Sequence, residues 1–90
     1  MKRRSDLGLG RAPTAASSDC ERQVAAIFGE FLEVDTVGVE DELFELGGDS
    51  FIVLQISLAI GERLGHEVDS SRIAELGTVR RLCADLDLGT

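Results

Sequence analysis

Asp41-Glu42-Leu43-Phe44-Glu45-Leu46-Gly47-Gly48-Asp49-Ser50 runs straight into the apolar stretch Phe51-Ile52-Val53-Leu54-Gln55-Ile56-Ser57-Leu58-Ala59-Ile60, and the reading of the chain turns on this junction. Asp49 or Ser50 can cap a helix and Gly65 can end it, so a helix is predicted over residues 50–64. Gly47 and Gly48 carry no side chain to obstruct an approach and tolerate φ > 0, leaving the Ser50 hydroxyl at the mouth of that helix. Serine is also a preferred N-cap, and a capping serine behind a glycine turn is common. Self-contained catalysis fits poorly. Gly48-Asp49-Ser50-Phe51-Ile52 lacks the second glycine of a nucleophile elbow, and His66 is the only histidine that could serve as a base. A serine modified by another enzyme needs no such partners. It needs exposure, a backbone around which a foreign active site can close, and a helix terminus whose free N–H groups favour an anion. Asp49 either caps the helix or helps hold the modifying enzyme's metal ion.

The predicted helix carries a second signal. Val53, Ile56, Ser57, Ile60 and Leu64 form one stripe at helical spacing, which reads as core. Phe51, Leu54 and Leu58 form another, flanked by Ile52 and Gln55. A helix packed on one side of a small bundle is normally polar on the other, whereas this one is apolar nearly all round until Glu62. The second stripe reads as a docking surface beside the serine, unless loop residues such as Phe44 cover it.

Upstream, Ser18 and Glu21 have the spacing of a capping box, and Val24, Ile27, Phe28, Phe31 and Leu32 follow on one helical face. Gly29 in mid-helix implies a close neighbour or simple tolerance. Residues 35–48 form a long connection in which Val37, Val39, Leu43, Phe44 and Leu46 are expected to peg the loop to the core, with a short helical turn around 40–44. Downstream, a weakly specified element falls near 71–76. Gly77 breaks the chain, and Thr78 caps a last helix with Val79, Leu82, Cys83 and Leu86 on one face. No segment alternates with a period of two. The expected fold is all-α: three main helices plus one short one.

Residues 1–17 mix Gly, Ala, Ser, Pro13 and basic residues without periodicity and read as a disordered basic tail, leaving a domain over 18–88. Ninety residues allow one small domain. The net charge of −8 is uneven: 1–17 holds four basic residues against one acid, while 18–90 holds sixteen acids against five basic residues. That field repels nucleic acid and favours basic protein surfaces. The acids crowd into 30–49, upstream of the serine, which points to docking. No apolar run reaches spanning length and no secretory signal follows Lys2, Arg3 and Arg4, so a cytoplasmic protein with no membrane partner is expected. Cys20 and Cys83 are too few for a disulfide framework or, with His66 alone, for a zinc site, and no metal is expected. Both lie on apolar helix faces and read as small buried hydrophobes.

With those residues in place, the segment 43–50 resembles the attachment signature of carrier proteins, above all the peptidyl carrier (thiolation) domains of nonribosomal peptide synthesis. Gly77-Thr78-Val79-Arg80-Arg81-Leu82 resembles the start of that family's final helix. The likeness covers residues 18–86. Many relatives have proline where Gly77 stands, an aromatic at Ala74 and leucine at Phe51. The resemblance implies an acyl carrier protein-like bundle that is not an enzyme. It implies 4′-phosphopantetheine attached covalently to Ser50, with Gly47, Gly48 and Asp49 presenting the site. Phe51, Ile52, Leu54, Gln55 and Leu58 would dock partner enzymes. A phosphopantetheinyl transferase would install the arm. An adenylation enzyme would load it with an aminoacyl group as a thioester, and condensation or other thioester-using enzymes would consume that group. The helix after Ser50 holds no acid before Glu62, which favours a peptidyl carrier over an acyl carrier of fatty acid or polyketide synthesis. A cofactor-free helical adaptor is the remaining alternative. The start at Met1 and the single domain suggest a free-standing, monomeric carrier.

Overall fold

Ser18 opens the first helix by accepting the backbone N–H of Glu21 on its hydroxyl, at 3.1 Å. The computed structural model describes residues 3–86; the last two positions of the expected domain, 87 and 88, lie outside them, as do the first two of the tail. Among the described residues the order is α1 (Asp19–Leu32), α2 (Ser50–Leu64), α3 (Ser70–Leu76) and α4 (Val79–Leu86), with a single 3-10 turn at Arg4–Leu7 and no strand. This is the expected all-α bundle. Packing joins α1 to α2 and α4, and α3 to α2 and α4.

The capping box is half realised. Glu21 reaches one residue further back than expected, and its Oε1 accepts the Ser17 backbone N–H at 2.8 Å. That bond, with the Arg80 guanidinium, holds the Glu21 carboxyl below its ordinary range against the effect of burial. Helix α1 ends with Glu33 in the left-handed region at φ 57°, its N–H bonded to the Gly29 carbonyl. A Cβ on Gly29 would lie 3.2 Å from the Val34 carbonyl oxygen, so this glycine has a close neighbour.

The core is one cluster. Val24, Ile27, Phe28 and Leu32 of α1 meet Val53, Ile56, Ala59 and Ile60 of α2, Ile73 of α3, and Val79, Leu82, Cys83 and Leu86 of α4. Val39, Leu43 and Leu46 are fully buried pegs of the long connection, and the expected peg Val37 packs against the cluster. Phe44 is not a peg, because it stands 53 % exposed. Backbone bonds fix the connection as well: Leu43 N–H donates to the Gly77 carbonyl and Arg80 N–H to that of Val39. The turn before the glycines runs over 43–48, later than the expected 40–44, and closes with Gly48 N–H on the Leu43 carbonyl.

Residues 3–17 bear on the expected domain boundary. Where the sequence suggests a disordered tail, residues 3–17 lie against the domain, and Leu7, Leu9 and Ala16 pack on the core. Arg4 is buried, and its guanidinium forks onto both oxygens of buried Asp41 at 2.6 Å. Arg11 bridges Asp41 and Glu45 at 3.1 and 2.7 Å. Val39 N–H reaches the Thr14 carbonyl at 3.0 Å. Periodicity cannot reveal a segment held by two arginines and a backbone bond, since none of these leaves an apolar repeat.

Candidate functional site

Gly47 and Gly48 do different work in front of α2. Gly47 adopts φ 98°, in the region that favours glycine. Gly48 is a packing residue: a Cβ there would lie 3.0 Å from both Cγ and the carbonyl oxygen of Leu43. The glycine pair thus folds the loop tightly onto its own buried leucine.

Asp49 follows as the N-cap of α2, in extended conformation, and its Oδ1 accepts the Ile52 N–H at 2.9 Å. Of the two candidate caps, the aspartate has the role. Ser50 is therefore the first helical residue, exposed, with its hydroxyl relieved of capping duty. The helix terminus supplies first-turn N–H groups and a positive dipole end beside it, a setting that suits a phosphodiester.

Between residues 17 and 86 the other serines offer less. Ser17 Oγ donates to Glu21, Ser18 Oγ caps α1, and half-buried Ser57 donates to the Val68 carbonyl. Ser70 and Ser71 open α3 without the glycine pair.

The two stripes of α2 separate cleanly. Val53, Ile56 and Ile60 are buried and Ser57 and Leu64 half-buried, while Phe51, Leu54 and Leu58 are 66 %, 46 % and 63 % exposed. Ile52 and Gln55 are half-buried between them, and Ile52 also packs on the core. Phe44, with its 53 % exposure, leaves the second stripe uncovered and adds a further exposed apolar side chain ahead of the site.

Several acids upstream of the site are paired within the chain. Glu30 pairs with Arg63, Glu40 with Arg80, Glu42 with Arg81, and both Asp41 and Glu45 with Arg11. Burial works to raise the Asp41 carboxyl, but the Arg4 hydrogen bond, the Gly38 N–H and the Arg4 and Arg11 charges outweigh it and hold it low. Much of the acidic crowd is thus taken up by the chain's own arginines.

Among the described residues no group of three His, Cys, Asp or Glu side chains could hold a metal ion, and no helix is long and apolar enough to cross a membrane.

A helical bundle with an exposed serine at a helix start, beside an apolar band, has the form of a domain that other proteins modify and handle. The family model described as "Phosphopantetheine attachment site" matches residues 22–86. A linear gramicidin synthase of Brevibacillus parabrevis is 39 % identical over 67 residues, covering 74 % of this chain and 1 % of that protein. The dimodular nonribosomal peptide synthase of Bacillus subtilis is 33 % identical over 81 residues, 90 % of this chain and 3 % of that one. Among solved structures, BlmI, a type-II acyl-carrier-protein of Streptomyces verticillus involved in bleomycin biosynthesis, superposes with a TM-score of 0.72 at 29 % identity, covering 76 % of this chain and 82 % of that one. The chain belongs to the phosphopantetheine-attachment family, as a carrier domain of the peptidyl (thiolation) type. Members of that family hold 4′-phosphopantetheine covalently on a serine. The chain spans only 1 % to 3 % of the length of the first curated relatives it matches.

Proposed function

We propose that Ser50 is the attachment serine and that the domain carries aminoacyl or peptidyl groups, as thioesters on the arm, between enzymes of nonribosomal peptide synthesis. The observation that carries this reading is the position of Ser50: exposed, first in α2, uncoupled from capping by Asp49, and within the matched segment. The arm supplies a thiol whose thioesters keep a carbonyl activated while it moves between sites. The chain's own residues present and orient. Gly47 and Gly48 set the approach, Asp49 fixes the helix start, and the dipole of α2 favours the phosphodiester on Ser50.

The domain itself performs no catalysis in this reading. A phosphopantetheinyl transferase, with its own Mg²⁺, installs the arm from coenzyme A. An adenylation enzyme loads it and condensation or related enzymes unload it, all in the cytoplasm and with the carrier as a monomer. These partners dock on Phe51, Leu54 and Leu58, with Ile52 and Gln55 at the margin and Phe44 joining them. Tethering raises the effective concentration of cargo at each partner site.

Incubation with coenzyme A, Mg²⁺ and a broad-specificity transferase tests the assignment. Mass spectrometry should show one phosphopantetheine, located on Ser50 by peptide mapping, and Ser50→Ala should remove it entirely while circular dichroism stays unchanged. An arm on another serine, or none on a folded chain after exhaustive treatment, would refute it.

A further inference from the structure

Cys20 stands in the first turn of α1 and Cys83 in α4, 63 positions apart, yet their sulfurs lie 2.6 Å from each other. Closing that gap to a disulfide requires a shift of only about 0.5 Å. Cys83 is buried, while Cys20 is half-buried and lines an open groove with Gln23, Arg63, Leu64 and His66. We propose that Cys20 and Cys83 are a disulfide-forming site that locks α1 to α4. The reading of these residues as merely small hydrophobes misses this, because their pairing exists only across the bundle.

The chemistry needs a small-molecule disulfide as oxidant, and it balances. The Cys20 thiolate attacks the disulfide through the groove, forming a mixed disulfide and releasing one small thiol. The Cys83 thiolate then attacks the Cys20 sulfur, forming the protein disulfide and releasing the second. Two protein thiols are oxidised, one small disulfide is reduced to two thiols, and the two protons go to those leaving thiolates.

The staple sits at the pole away from Ser50. From Cys20 to Leu32, α1 rises roughly 18 Å, and it is Leu32 that abuts Gly48 beside the serine. Closing the pair therefore stiffens the bundle without touching the proposed attachment turn. Since these are the only two cysteines, it would also leave the arm's thiol, in the carrier reading, as the only one on the chain.

The test uses the full chain without the arm, so it stands apart from the assignment of Ser50. The chain is equilibrated with oxidised glutathione, quenched with an alkylating reagent in denaturant, and weighed intact. A monomer lighter by two hydrogens, with both cysteines protected, and a melting temperature more than about 10 °C above the reduced form is expected, since the cross-link closes a long loop. Cys20→Ser, at the half-exposed position, should abolish the shift without unfolding the chain. Full alkylation of both cysteines, a glutathione adduct that persists on Cys20, or a disulfide-linked dimer would each overturn the proposal.

Discussion

Helix α2 is the most apolar of the long helices, yet Phe51, Leu54 and Leu58 stand in water; residues 3–17 are basic and lack an apolar repeat, yet they bury the guanidinium of Arg4. The contrast shows that burial follows the partner available rather than the side chain's own preference. Helix α2 has α1 and α3 against one face only, so its second stripe has nothing to bury against. Arg4 meets a carboxylate that offers both oxygens in the fork geometry a guanidinium requires, so its charge is satisfied below the surface. An apolar band is thus kept in water next to Ser50, and a charged brace is kept out of it behind the same loop.

The sharpest test of that contrast compares two residues of α2. Ile60→Ala should destabilise the domain by about 2–5 kcal/mol, the usual range for emptying a core site. Against a total stability of about 5–15 kcal/mol that is a large share. Leu58→Ala should change stability by less than about 0.5 kcal/mol, as exposed substitutions do, while slowing loading by partner enzymes. Denaturation curves and loading kinetics on the same two variants decide it. Equal destabilisation would make both stripes core and remove the docking face.

Next in size is the brace. Arg4→Ala should cost about 3 kcal/mol, the low end for breaking a buried pair, because Asp41 stays covered without its main partner. Deleting residues 1–16 should be milder for Asp41 itself, since its carboxylate is then hydrated. Acid unfolding gives an independent reading. The folded Asp41 carboxyl lies below its ordinary value, so its stabilisation is complete above about pH 4 and disappears as pH falls through the folded value. Urea midpoints measured across that acid range should fall more gently in Arg4→Ala than in the parent, and the difference isolates this pair from Glu21, Glu45 and Asp85, which are also held low. A variant as stable as the parent with the same acid slope would mean that residues 3–17 do not brace the loop.

The smallest effect separates the two neighbours at the start of α2. Asp49→Ala should cost about 1 kcal/mol through loss of the cap, whereas Ser50→Ala should fall within about 0.5 kcal/mol. Calorimetry on both variants checks this. The reverse order would return the capping role to Ser50 and leave its hydroxyl occupied.

Much of the fold is legible along the chain, and the reason is periodicity. The apolar repeats in α1, α2 and α4, the caps at Ser18 and Thr78, and the stops at Gly65 and Gly77 are local signals, each set by residues within a turn or two of one another. The glycine pair before a serine and an apolar helix is equally local, so the candidate site could be read from ten consecutive residues. Tertiary structure decided everything that depends on residues far apart. It turned Phe44 outward and fastened residues 3–17 through Arg4 and Arg11. It also brought Cys20 against Cys83 across 63 positions. Those outcomes depend on which side chains meet in space, and a linear pattern records only neighbours along the backbone.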